Sequence, residues 1–185
     1  MRKVNYHTHT ALCLHAGGME IDYVREALAA RLDILGFSDH APFPDNRFDL
    51  RMQYRELDPY LQRIYDLRNR LHGRLNILAG LEIEYCPDML PYYKSLYEKK
   101  HLDYLILGQH YFTDTSGRLI NTFRCPEGAD SSLVIEYALS VHKALATGLF
   151  PILAHPDVIF VNDLAWDENC EKATELILRS AREAG

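Results

Sequence analysis

Apolar residues along this chain fall into two spacings. Lys3 to His7, Ile34 to Ser38, Asn76 to Ile83, Tyr104 to Leu107 and Pro151 to Ala154 are short runs that each read as a β-strand, several of them buried. Between them the apolar positions recur every three or four residues. Met19 to Leu32 places Ile21, Val24 and Leu28 on one helical face, and Glu56 to Leu71 does the same with Leu57, Leu61, Ile64 and Leu71. Asp88, Asp130 and Asp167 can each cap a further helix. The first runs to about Lys100, the second stops at Gly148, and the third ends at Gly185. Strand and helix therefore alternate, which predicts an α/β fold with a mostly parallel sheet, open or closed into a barrel. Two long loops, His40 to Arg55 and His110 to Asp130, break the rhythm. No internal repeat or interdomain linker is visible, so residues 1–185 read as a single domain.

The polar residues that close these runs are of one chemical kind. His7 and His9 follow the first strand, His40 the second, Glu82 the third, His110 the fourth and His155 the fifth, while His15 sits in a turn before Gly17-Gly18. In an α/β barrel the C-terminal strand ends share one face, so these side chains are expected to converge there. His7 and His9 are two residues apart and point to the same side of an extended chain. Imidazoles with a carboxylate suit two to three divalent ions of the zinc, iron or manganese type. His7, His9, His15, His40, Glu82, His110 and His155 are the expected metal ligands, with Glu82, His110 and His155 as the catalytic set. Glu82 is the expected bridging carboxylate; Glu84 is read as meeting a loop, a substrate group or solvent. Asp39 either orients a ligand imidazole or caps its loop. Cys13 is a ligand or, preferably, a small packing residue. His72, His101 and His142 are read as surface or capping residues.

A cluster of such ions binds phosphate oxygens and generates hydroxide at neutral pH, which is the chemistry of phosphate ester hydrolysis. Arg47, Arg51 and Arg55 lie in the loop after His40 and Arg124 in the loop after His110; Arg47 and Arg124 are the candidate phosphate contacts. The chain has neither a Gly-x-x-x-x-Gly-Lys loop nor a Gly-x-Ser-x-Gly elbow, so nothing points to nucleotide-driven work or a serine nucleophile.

Composition narrows the partners. The chain has 185 residues, 48% hydrophobic and 25% charged, with a formal charge of −6. That balance argues against a nucleic-acid binder and leaves a small phosphorylated substrate open. No apolar run approaches a membrane span, and the N-terminus lacks a signal-peptide core. The four cysteines, Cys13, Cys86, Cys125 and Cys170, form no Cys-x-x-Cys pair and read as reduced thiols of a cytoplasmic protein.

Seven segments carry a resemblance: His7-Thr8-His9-Thr10, Cys13-Leu14-His15, Ser38-Asp39-His40-Ala41-Pro42, Gly80-Leu81-Glu82-Ile83-Glu84-Tyr85, Leu102-Asp103-Tyr104, Gly108-Gln109-His110 and Ala154-His155-Pro156-Asp157. In this order they resemble the polymerase and histidinol phosphatase (PHP) superfamily, and within it the bacterial histidinol-phosphate phosphatases. The resemblance implies a distorted (β/α)7 barrel with a trinuclear metal site. One ion would be held by His7, His9 and Glu82, a second by Glu82, His110 and His155, and a third by His15 and His40. The implied reaction is hydrolysis of L-histidinol phosphate to L-histidinol and phosphate, in histidine biosynthesis. The alternatives are another phosphoesterase of the superfamily, acting on phosphotyrosine or nucleotides, and a non-catalytic metal- or phosphate-binding module. The superfamily pattern also includes a late Asp-x-His pair. None occurs between His155 and Gly185, so the expectation is a barrel lacking its last one or two βα units.

Overall fold

The computed structural model describes residues 1–185. The expected strands and helices are present: β1 Val4–Asn5, α1 Glu20–Ala29, β2 Ile34–Phe37, α2 Leu57–Arg70, β3 Asn76–Ile83, α3 Leu90–Lys100 and β4 Tyr104–Leu107, then α4 Ser132–Leu145 and α5 Glu168–Ala184. Between His110 and Asp130, where a loop was expected, the chain makes a hairpin of β5 (Tyr111–Thr113) and β6 (Leu119–Asn121). The last expected strand is β7, Ile152–Leu153. The chain divides into two compact units, residues 1–82 with 94–106 and residues 83–93 with 107–185. No helix is long and apolar enough to cross a membrane.

In the first unit the strands lie in the order β1-β2-β3-β4, and β1 to β3 are parallel. The side chains of β2, β3 and β4 are almost continuously buried, as expected for a parallel sheet with helices beside it, whereas both residues of β1 are exposed. Leu35, Phe37, Ile77, Ala79, Leu81, Leu105 and Ile106 supply the sheet's share of the core. Helix α2 contributes Leu57, Tyr60, Leu61 and Ile64, close to the expected stripe. Helix α1 is rotated from expectation. It buries Glu20, Val24 and Ala27, and Ile21 is left half exposed. The cause is the ion pair from Arg63 on α2, which donates two hydrogen bonds to Glu20 at 3.0 and 2.8 Å.

Tyr104 draws the strands of this unit together. Its hydroxyl donates to the carbonyls of Tyr6 (2.7 Å) and Phe37 (3.1 Å), at the ends of β1 and β2. The ring has room because Gly36 and Gly80 lie beside it: a β-carbon on Gly80 would come within 2.5–2.7 Å of the ring, and one on Gly36 would meet the hydroxyl. Asp103, just before β4, accepts the Ala79 N–H at 2.7 Å and pairs with Arg68, which fastens β4 to β3 and α2.

In the second unit, the Leu107 carbonyl at the end of β4 accepts the Ala154 N–H at 2.9 Å, which seats the segment after β7. Helices α4 and α5 pack along each other. His142, expected at the surface, is half-buried there, and its Nδ1 meets Ser180 Oγ at 2.9 Å. Two of the three expected caps differ in detail. Asp167 caps α5 as expected, accepting from the Asn169 and Cys170 N–H groups. At α4 the capping position is Ser131, and Asp130 accepts from Ser132 instead. Asp88 lies inside a 3-10 turn, Pro87–Met89, that precedes α3. The β5–β6 turn is closed by Asp114, which accepts the N–H groups of Ser116 and Arg118 at 2.9 Å each, with Gly117 at φ 85°.

Gly80→Ala should lower stability by about 1–3 kcal/mol through overpacking against the Tyr104 ring. Gly36→Ala should be partly rescued by Tyr104→Phe, which removes the atom it meets, whereas Gly80→Ala should not; urea denaturation of the single and double variants reads both. The Asp167 carboxyl is held below the usual carboxylate range, chiefly by the Ser131 hydroxyl. A depressed pKa contributes stability above the unfolded-state value and loses it as pH falls through the folded-state value. Asp167→Ala should therefore lower the melting temperature at pH 7, and the gap to wild type should close below about pH 3.9, the ordinary Asp value.

Candidate metal centre

The first unit assembles five of the predicted ligands. Past β1 the chain stays extended, and Ser38 keeps it in register with β2. Thr8 N–H donates to Ser38 Oγ and Ser38 N–H donates to the Thr8 carbonyl, both at 2.9 Å. His7 and His9 thus point to one side, with ring centroids 4.8 Å apart. Thr10 caps a 3-10 turn, Ala11–Cys13, and Leu14, at φ 61°, reverses the chain. That reversal brings His15 back beside His9, at 5.1 Å between ring centroids. His15 Nδ1 lies 2.9 Å from the Cys13 carbonyl, so it carries a proton and Nε2 carries the lone pair. His40 sits past β2, bridged in parallel to Glu82 past the apolar stretch of β3, and its ring centroid lies 4.7 Å from that of His9 and 5.0 Å from that of His15.

Glu82 lies at the centre of this group. Its side chain is 1% exposed, and the single atom Oε2 is 3.1 Å from His7 Nε2, 3.1 Å from His9 Nε2 and 3.4 Å from His40 Nδ1. The two Nε2 atoms are 2.9 Å from each other. Donors bound tetrahedrally at about 2.0–2.1 Å from one ion stand roughly 3.3 Å apart. His7, His9 and Glu82 are close to that spacing, and His9, His15 and His40 form a second group with ligand atoms within 4.8 Å of one another. The donor set therefore fits divalent cations.

Asp39 and Cys13 lie just outside the imidazoles. Asp39 is fully buried and accepts from Thr10 N–H (2.7 Å), Thr10 Oγ (3.0 Å) and Cys13 Sγ (2.8 Å). Cys13 Sγ also accepts the His40 N–H at 3.0 Å and lies 3.2 Å from His9 Nδ1. Burial first, and the nearby Asp39 charge second, push the Cys13 thiol far above its ordinary pKa, so it is a neutral S–H.

The second unit holds the other two. His110 and His155 approach Nε2 to Nε2 at 3.3 Å. His110 Nδ1 is 2.9 Å from Glu84 Oε1, and Glu84 is completely buried. Glu84 is thus the acceptor that orients His110, in the loop between β4 and β5; of the sequence readings of Glu84 the loop contact is met, and its burial excludes solvent. The signal available in the sequence was its place two residues after Glu82. His155 adopts φ 27°, which non-glycine residues rarely occupy and which is held more often at functional positions than elsewhere. Phe123 was not singled out from sequence. Its ring, 51% exposed, stacks on His110 with centroids 5.7 Å apart and planes 15° apart.

The candidate phosphate contacts are placed differently from each other. Arg47 is engaged with Asp45 (2.8 and 2.7 Å) and lies over the Phe43 ring; this pairing holds the Asp45 carboxyl below the ordinary carboxylate range. Arg124 is exposed at the turn after β6, next to Phe123. Arg51 is the buried arginine of the first loop and donates to the Ala41 carbonyl at 2.9 Å. His72 and His101 are exposed, as expected.

The sequence profile of the PHP domain matches residues 5–185. The chain belongs to the PHP family. A relative from Deinococcus radiodurans named "Probable histidinol-phosphatase" is 31% identical over 82% of this chain and 59% of its own. The histidinol-phosphatase of Bacillus subtilis is 31% identical over 63% of this chain and 47% of its own. The chain thus spans less than two thirds of the length of these PHP relatives. Among solved structures, HisK of Listeria monocytogenes superposes with a TM-score of 0.79 at 16% identity, covering 98% of this chain and 79% of the other. Histidinol phosphate phosphatase HisK of Lactococcus lactis, solved with zinc, L-histidinol and phosphate, superposes with a TM-score of 0.74 at 19% identity, covering 99% and 70%. These likenesses show the α/β fold of the PHP type.

If Glu84 orients His110, removing it leaves a buried N–H without its acceptor. Glu84→Ala should cost about 1–3 kcal/mol of stability, and Glu84→Gln, which keeps an acceptor oxygen, should cost less. Equal urea midpoints for wild type and Glu84→Ala would show that the pair carries no such role.

Proposed function

We propose that this PHP chain belongs to a metal-dependent phosphomonoesterase that hydrolyses L-histidinol phosphate to L-histidinol and phosphate. The observation that carries the reading is Glu82, a buried carboxylate with three imidazole nitrogens within 3.4 Å of one oxygen. The histidinol-phosphatase names of its relatives and of a structure solved with histidinol and phosphate support the substrate.

His7, His9 and Glu82 would hold one divalent ion and His15 with His40 another, with His110 and His155 as the remaining donors. An imidazole-rich set with few carboxylates suits zinc, iron or manganese. Bound divalent ions supply positive charge for phosphoryl oxygens and lower the pKa of water. The protein's own part is to hold these donors in place before substrate arrives. Glu82 supplies a negative charge shielded from water, where it counts more than at the surface. Glu84 and the Cys13 carbonyl hold the Nδ1 protons of His110 and His15 and leave both Nε2 atoms as donors. Arg124 is exposed and is proposed to contact the substrate phosphate; Arg47 would have to leave Asp45 to do so. Four free cysteines and a formal charge of −6 support a cytoplasmic enzyme with a small phosphorylated substrate rather than a nucleic acid.

The test is phosphate release by the chain supplied separately with zinc, iron(II) and manganese, on L-histidinol phosphate, phosphotyrosine and nucleoside monophosphates. Histidinol phosphate should be the preferred substrate, chelation should abolish turnover, and Glu82→Gln should lower kcat/KM by roughly 100-fold or more, the several kcal/mol a metal site contributes. Equal rates across the panel, no release with any metal, or full activity in Glu82→Gln would each overturn the reading.

A further inference from the structure

We propose that Cys13 is a positioning residue: held by Asp39, it fixes the proton of His9 on Nδ1 and leaves Nε2 as the donor facing His7 and Glu82. The Asp39 carboxylate already accepts from the Thr10 N–H and the Thr10 hydroxyl, and it has no proton to give. The Thr10 hydroxyl is committed in that direction because its oxygen accepts the Leu12 N–H. The 2.8 Å contact between Cys13 Sγ and Asp39 Oδ1 therefore uses the only thiol proton. Two further contacts reach the sulfur: the His40 N–H at 3.0 Å, which can only donate, and His9 Nδ1 at 3.2 Å. With the thiol proton spent on Asp39, the last contact requires the proton to sit on His9 Nδ1.

In the neutral ring the other nitrogen then carries the lone pair. His9 Nε2 stands 2.9 Å from His7 Nε2 and 3.1 Å from Glu82 Oε2, in the middle of the donor group. Cys13 thus links three features of one unit: the buried Asp39, the main chain at His40 and the ring of His9. The same relay settles both roles considered for Asp39. It caps the turn through Thr10 and orients a ligand ring through a sulfur. Cys13 itself is fully buried, with its sulfur occupied by three partners, which leaves it outside the donor set.

This inference rests on reading the histidine group as a cation site, but its first readout does not. Nitrogen NMR of the metal-free protein at about pH 8.5, where imidazoles are neutral, distinguishes Nδ1–H from Nε2–H directly. Wild type and Cys13→Ser, whose hydroxyl can both donate to Asp39 and accept from His9, should show His9 protonated on Nδ1. Cys13→Ala should shift His9 toward Nε2–H and weaken zinc binding about 10–100-fold in chelator competition, with Cys13→Ser near wild type. A wild-type His9 protonated on Nε2 overturns the proposal without any variant, so a Cys13→Ala protein that fails to fold does not shelter it. Cys13→Ser losing as much zinc affinity as Cys13→Ala would identify the sulfur as a ligand and also overturn it. Unchanged tautomer and affinity in Cys13→Ala would reduce Cys13 to packing. Zinc binding with these signatures but no phosphate release would overturn the proposed function and leave the relay standing.

Discussion

One oxygen of a buried carboxylate, shared by three imidazoles, is the constraint on which the first unit depends. Glu82 is removed from water, and an isolated buried charge would be costly. A cation held between Oε2 and the three ring nitrogens within 3.4 Å of it would offset that cost, provided that each ring is held at the right place and angle. Everything that surrounds the group does one of those two things.

Place comes from the sheet. A parallel pairing that continues past the strands, through Ser38 with Thr8 and through the Ala41 and Glu82 backbone, brings His7, His9, His40 and Glu82 to the same level. Tyr104 secures that level because one hydroxyl reaches the carbonyls that end two strands. The absence of side chains at Gly36 and Gly80 lets the ring lie there, so two glycines inside strands, ordinarily unfavourable, are explained by a close approach.

Angle comes from acceptors behind the rings. The Cys13 carbonyl holds His15, Glu84 holds His110 in the second unit, and the Asp39–Cys13 pair meets His9. A carbonyl, a carboxylate and a thiol do the same work with different chemistry. In each case the ring nitrogen away from the protein backbone is left with its lone pair. Orientation is thus arranged in advance of any ligand, which lowers what must be ordered when one binds.

Much of this was legible from residues alone. Alternating short apolar runs and three-to-four spacing located the main strands and helices, with β3 and β4 at their observed limits, and the two-residue spacing of His7 and His9 placed both rings on one side. Local rules sufficed there because each depends on neighbours a few positions away. The β5–β6 hairpin was not legible: strands of three residues are too short to show a period, and pairing to Thr122 and α4 stabilises them. The turn of α1 that buries Glu20 depends on Arg63, 43 positions on. Glu84 and Cys13 were visible as residues but not as orienting groups, since their partners lie 26 positions away in one case and include Asp39, 26 positions away, in the other. By itself the sequence determined which side chains could ligate and that they stand at strand ends, because chemistry and periodicity are local. Only the tertiary structure decided which ring nitrogen faces the site, because a tautomer is set by the acceptor that folding brings behind the ring.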